Sequence, residues 1–175
     1  MKAFTILTLI ASFVTNGLCY FPLSRCYVHP CTSTPYDIEW TREERFSTYT
    51  KACFSIKRKG CVDNSMYNCC NVLDNYLHRI VLSIPTQCVD AVQQVTVNGT
   101  RKTSGLYYSS SEIILTTLRI YGNAAENTEF CIDLTEPCPS LFDFCVDSDE
   151  LCRFAIFDAS MKCCPTCIML DKTYV

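Results

Sequence analysis

Glycine and proline are scarce, five and seven in 175 residues, and no stretch of the chain concentrates them. That excludes a Pro-rich rod, a flexible Gly/Ser linker and low-complexity tracts. Histidine is rarer still, with His29 and His78 alone, so a zinc site built on imidazoles has almost nothing to draw on. Cationic excess is missing too: 15 Lys and Arg stand against 18 Asp and Glu, for a net charge of −3. A phosphate-tracking surface needs a concentrated basic face, so nucleic acid is not an expected partner. The chain carries no internal repeat and no G-x-S-x-G, and neither histidine has a nucleophile signature beside it. An activated nucleophile of the hydrolase type is therefore not expected, and no catalytic residue or cofactor is assigned. No apolar run reaches the roughly 20 residues that span a bilayer.

Cysteine is what the chain has in abundance, 15 in all. Its first residues resemble a leader: Lys2, then an uncharged and mostly apolar Ala3 to Val14, then Thr15-Asn16-Gly17. Charge, short apolar stretch and small-residue exit are the parts of a secretory signal peptide. A cut after Cys19, with Gly17 and Cys19 as the small residues, divides the chain into a signal peptide over 1–19 and one domain over 20–175. The cut removes one cysteine and leaves an even number: Cys26, Cys31, Cys53, Cys61, Cys69, Cys70, Cys88, Cys131, Cys138, Cys145, Cys152, Cys163, Cys164 and Cys167. That is roughly nine per cent of the remaining chain, a density that marks a disulfide scaffold. Export and cysteine together imply an oxidising compartment. The pairing stays open, since fourteen cysteines allow on the order of 10⁵ connectivities.

Short β-like segments dominate the rest. Tyr36–Trp40, Thr48–Ile56, Arg79–Ile84, Ala91–Val97, Ile113–Tyr121, Glu129–Leu134 and Leu151–Phe157 are rich in β-branched and aromatic residues and are separated by turn signals. Asn98-Gly99 follows one such run and predicts a two-residue hairpin. Helical signals are weaker: Cys69–His78, a capping box at Ser140 and Asp143, and a fainter one at Thr41 and Glu44. The sum predicts a mainly β, disulfide-rich, antiparallel β-sandwich-like domain with one or two short helices.

Five features carry chemistry. Cys164-Pro165-Thr166-Cys167 has the spacing of a thiol–disulfide exchange pair, which needs a helix after its first cysteine, and none is predicted there. Asp147-Ser148-Asp149-Glu150, between Cys145 and Cys152, offers oxygen ligands that suit Ca²⁺, without EF-hand spacing. Lys57-Arg58-Lys59-Gly60 is the one basic run, a solvated turn or a contact for anionic polysaccharide. Tyr107-Tyr108 is either strand packing or an exposed pair for stacking on sugar rings. Asn98-Gly99-Thr100 is the one N-x-S/T sequon and a candidate N-glycosylation site.

The cysteine framework, with the residues around it, resembles the pherophorin domain of green-algal extracellular glycoproteins. The likeness opens at Phe21-Pro22 and Thr34-Pro35-Tyr36 and continues through Cys53-Phe54, Cys61, the doublet Cys69-Cys70, Arg79-Ile80-Val81-Leu82 and Cys88. It runs on through Val95-Thr96-Val97-Asn98-Gly99, Leu118-Arg119-Ile120, Cys131-Ile132-Asp133-Leu134, Cys138-Pro139-Ser140-Leu141, Cys145 and Cys152. Phe154-Ala155-Ile156-Phe157-Asp158 and Cys163-Cys164-Pro165 close it. The family's Cys-x-Cys opening is kept here only as Cys26, and Cys31 is the candidate for its displaced partner. Larger members join two such domains by a hydroxyproline-rich rod that this chain lacks. The resemblance implies a secreted matrix or cell-wall glycoprotein, non-enzymatic, that binds other matrix glycoproteins or anionic polysaccharide. Some relatives act as diffusible sexual-induction signals, which is the first alternative. A secreted oxidoreductase using Cys164 and Cys167 is the second.

Overall fold

A computed structural model of the chain describes Phe21, Cys26 and residues 28–61, 69–145 and 152–169. The leader-like residues 1–19 and the acidic loop 147–150 lie outside these. Among the described residues, eleven strands form two sheets. The strands are β1 (Val28–Pro30), β2 (Tyr36–Arg45), β3 (Thr50–Arg58), β4 (Arg79–Ser83), β5 (Val92–Val97), β6 (Thr100–Arg101), β7 (Leu106–Tyr108), β8 (Glu112–Leu115), β9 (Glu129–Leu134), β10 (Arg153–Phe157) and β11 (Cys164–Ile168). Two short helices, α1 (Cys69–Asn75) and α2 (Leu141–Cys145), complete the predicted mix. One sheet runs β1-β11-β10-β4-β8-β7 and the other β2-β3-β9-β5-β6. All pairings are antiparallel except β1 with β11, which is parallel.

The inner faces of the two sheets meet in one core. Ile38, Ala52, Phe54, Phe130 and Ile132 from one sheet pack with Ile80, Leu82, Ile113, Phe154 and Ile156 from the other. Phe54 and Phe130 lie opposite each other in register and stack at 5.0 Å, a cross-strand pair of the kind that stabilises a sheet by about 0.2–1 kcal/mol. The six-stranded sheet is apolar on its outer face as well. Val81, Ala155, Phe157 and Cys164 are buried there beneath Phe21, Cys26 and Met161. This explains the unbroken apolar runs Ile80-Val81-Leu82 and Phe154-Ala155-Ile156-Phe157, since a strand buried on both faces has no reason to alternate.

Local chemistry sets the turns. Asn98 and Gly99 both take positive φ, 49° and 73°, and close β5 onto β6 with Val97 opposite Thr100. α2 begins where the capping box predicts: the Asp143 N–H donates to Ser140 Oγ at 3.1 Å, and the Ser140 hydroxyl donates back to Asp143 Oδ2. The fainter box at Thr41 and Glu44 does not open a helix. Both residues lie in β2, where the Thr41 hydroxyl donates to the Cys53 carbonyl at 3.0 Å. Pairing with β3 overrides the local signal there.

The strand expected over Ile113–Tyr121 stops at Leu115. Thr117 and Arg119 take left-handed backbone, with φ of 57° and 53°, a conformation that β-branched residues adopt only under outside constraint. The constraint is visible. Leu118 N–H donates to His78 O, and Leu77 and Ile120 exchange both backbone hydrogen bonds. Gly105 presses on the same loop: a Cβ there would fall 2.4 Å from Thr117 Oγ1 and 2.7 Å from Thr116 O.

Candidate functional site

The fourteen cysteines expected to bridge are all paired. The bridges are Cys26–Cys164, Cys31–Cys167, Cys53–Cys131, Cys61–Cys70, Cys69–Cys163, Cys88–Cys138 and Cys145–Cys152. Each doublet sends its members to different places. In α1, Cys69 reaches the core and Cys163 while Cys70 closes a short loop to Cys61. Cys163 thus ties to α1, while its neighbour Cys164 ties to the amino-terminal arm.

This wiring removes the exchange pair. Cys164 and Cys167 do not bond to each other. They lie in strand β11, not at a helix start, and clasp Cys26 and Cys31. Without a mutual disulfide or a helix N-terminus, neither sulfur is set up as a low-pKa attacking thiolate. Cys53, Glu129 and Cys131 offer ligand atoms within 4.8 Å of one another, but both sulfurs are consumed by the bridge and no thiolate is left for a metal.

His78 is a packed histidine. Its Nε2 lies 3.1 Å from Thr116 Oγ1 and its Nδ1 3.3 Å from the Tyr76 hydroxyl. Burial, then the neighbouring Arg79, hold its pKa below the usual histidine value, against the opposing pull of Asp158. It is therefore neutral near pH 7 and shares hydrogen bonds with two hydroxyls. Thr116 is itself buried, which makes it a poor candidate for a nucleophile.

The basic run is largely spoken for. Arg58 makes a two-pronged contact with Asp74, Nε at 2.8 Å and Nη2 at 2.7 Å, and reaches Asn123 at 3.2 Å. Lys59 Nζ donates to the Cys31 carbonyl at 3.4 Å. The outer face of the five-stranded sheet is similarly self-compensating: Arg42 pairs with Glu44 and Glu129, and Lys51 with Asp133. Tyr107 and Tyr108 sit in edge strand β7, 58% and 44% exposed. Adjacent strand residues point to opposite faces, so the two do not form one stacking platform. A platform does exist at a place no sequence motif marked. At the turn joining β2 to β3, Phe46 and Tyr49 stack at 4.6 Å, with Lys51 Nζ 5.9 Å from the Phe46 ring.

Asp158 is a residue whose role sequence reasoning missed. It is 4% exposed and closes the turn from β10 to β11. Its Oδ1 accepts from Lys162 N at 3.0 Å and Cys163 N at 2.9 Å, and its Oδ2 accepts from Ser160 N at 3.0 Å and from the Ser160 hydroxyl. Burial pushes the carboxyl upward, but the donors from Ser160, Cys163 and Lys162 outweigh it and hold the pKa below the ordinary value of 3.8. An Asp two residues before a Ser is an Asx-turn signal that could have located it.

The family model for the pherophorin domain matches residues 21–165. The chain belongs to the pherophorin family. In this pherophorin, the matched segment takes in both sheets except the last residues of β11, and the motif ending in Asp158 is β10 with its turn. No curated protein matches the chain. Among solved structures, the chain is similar to the bacterial hydrophobin BslA, at 8% identity and a TM-score of 0.39, covering 77% of this chain and 93% of that one. It is also similar to the BSP domain of a biofilm associated protein, at 11% identity and a TM-score of 0.39, covering 78% and 29%. Among the described residues no helix is long and apolar enough to cross a membrane.

Proposed function

We propose that this pherophorin is a secreted component of an extracellular matrix or cell surface, and that it acts by binding and assembly without catalytic chemistry of its own. The observation that supports this reading most is the commitment of Cys26 through Cys167 to seven bridges. Such wiring suits an oxidising exterior and holds a surface in one shape, whereas exchange chemistry needs a free thiolate. The test is the fate of a tagged copy made in cells that lay down a matrix. Retention in washed matrix with release by salt is the expected result. Complete recovery from the medium would overturn the matrix reading in favour of a diffusible signal, and release by chelator alone would point to calcium at residues 147–150.

Asn98 is proposed to carry an N-linked glycan. It stands exposed at the β5–β6 turn, where its Oδ1 accepts the Glu129 N–H at 2.9 Å. That bond engages the amide oxygen and leaves Nδ2, the atom that takes the sugar, outside it. The variant Asn98→Gln is expected to run at lower mass on a gel, and glycosidase treatment should bring the wild type to the same position. Equal mobility of the untreated proteins would show the site to be empty.

A further inference from the structure

Where the chain crosses from β6 to β7 it leaves the five-stranded sheet for the six-stranded one, and a groove of about 280 Å³ opens between residues 100–104 and the left-handed loop at Thr117. Its lining has three kinds of chemistry. Val97 and Leu118 supply an apolar strip. Thr100, Thr103, Ser104 and Thr117 add hydroxyl-bearing side chains, that of Thr117 donating to the Thr116 carbonyl at 2.6 Å. Arg101 and Lys102 supply two positive charges. Neither cation makes an ion pair among the described residues, in contrast to Arg42, Arg45, Lys51 and Arg58, which all do. Lys102 is partly buried, and burial alone holds its pKa below the usual lysine value, with no carboxylate acting to restore it. A partly desolvated ammonium that no acid among the described residues compensates is a site suited to an anion from outside.

We propose that this groove binds an anionic polysaccharide, with Arg101 and Lys102 meeting its sulfate or carboxylate groups and the apolar strip receiving the C–H face of a sugar ring. The proposal deepens the assembly reading above and rests on it. The volume lies near the lower end of small-ligand pockets, roughly 300–1,000 Å³, enough for a short stretch of a polymer and too small for a folded segment. The hydroxyls favour sugar over nucleic acid. A single-stranded nucleic acid site pairs its cations with aromatic rings for the bases, and no aromatic side chain lines this groove. The Lys57-Arg58-Lys59 run, which the sequence offers for the same partner, has its guanidinium occupied by Asp74. The structure thus moves the anion contact to Arg101 and Lys102.

The test uses the purified, secreted full chain on immobilised dextran sulfate, polygalacturonate and neutral dextran. The wild type is expected to bind one or both polyanions, to elute with salt, and to ignore neutral dextran. The double variant Arg101→Ala/Lys102→Ala should lose affinity by about tenfold or more, as removal of charge-assisted contacts predicts. Thr103→Glu, which adds a carboxylate to the groove and keeps the lysine stem, should weaken binding in the same direction. Lys57→Ala should leave it unchanged. A failure of the wild type to bind either polyanion, binding to neutral dextran of equal strength, or wild-type affinity in both groove variants would overturn the proposal. Matrix retention of the double variant separates the two readings. If it keeps both polyanion binding and retention, the groove proposal falls while the assembly reading stands; if it loses polyanion binding, the groove proposal stands whether or not retention survives.

Discussion

Replacing Asp158 with Asn is expected to destabilise the folded, fully bridged protein by about 3 kcal/mol, the range for losing charge-assisted hydrogen bonds to a buried acceptor. The carboxylate gathers four donors from three residues. An amide has one acceptor oxygen, so it satisfies the pair on one side and turns its own N–H₂ toward the Ser160 donors on the other. The consequence spreads because Cys163 is one of the residues being held, and its bridge to Cys69 and the bridge of Cys164 to Cys26 both start from this turn. Chemical denaturation with the disulfides intact measures the loss. A change under about 1 kcal/mol would show that the bridges alone organise the turn. The pH dependence has a definite sign. In the unfolded chain this carboxyl protonates near an ordinary value of about 3.9. In the fold its pKa is depressed, so between the two values the unfolded chain binds more protons. The contribution of Asp158 is complete above the unfolded pKa and is lost as pH falls through the folded one. The wild type should lose stability below about pH 4 relative to the Asn variant, whose side chain does not titrate there.

The second large effect separates the bridges by the loops they close. Cys69 and Cys163 stand 94 residues apart, Cys145 and Cys152 only 7. If a bridge acts mainly by restricting the unfolded chain, removing the long-range one costs about 4–5 kcal/mol and the short one about 2–3 kcal/mol. The double variants Cys69→Ala/Cys163→Ala and Cys145→Ala/Cys152→Ala therefore differ by about 2 kcal/mol in unfolding free energy. All four cysteines belong to the core, so lost packing adds to both costs and the difference between them reports the loop lengths. Equal costs would mean that native contacts around each bridge, and not chain restriction, set its contribution.

Composition and periodicity made the architecture legible where a strand is decided by its own residues. Glu129–Leu134 appears as read, and Asn98-Gly99 closes its hairpin because both residues tolerate positive φ. The misses have tertiary causes. β1 and β11 each hold a proline, Pro30 and Pro165, which reads as a breaker. They are strands because Cys26–Cys164 and Cys31–Cys167 press the amino-terminal arm alongside β11. Leu106–Tyr108 lacks length and is held by β8. The run through Tyr121 looked like one strand because apolar β-formers continue, but hydrogen bonds from Leu77 and His78 capture the chain after Leu115. The candidate sites followed the same divide. Asn98 was legible from a local motif. Arg101 and Lys102 gave no signal in a chain of net charge −3, because what sets them apart is that the fold brings both to the lining of one groove.

The clasp between β1 and β11 has a mechanical meaning. Cys26 and Cys164 are 138 residues apart along the chain and one covalent bond apart through sulfur, with Cys31–Cys167 repeating the link 136 residues apart. Tension pulling on the chain outside Cys26 and Cys164 passes across those sulfurs, loading the edge pair β1 and β11 and sparing the strands behind them. Roughly 450–500 Å of contour, at about 3.3–3.6 Å per residue, stays locked behind the link however hard the ends are drawn. Under tension the domain is a short, inextensible coupling, and even with both links cut the Cys69–Cys163 bridge would keep 94 residues from paying out.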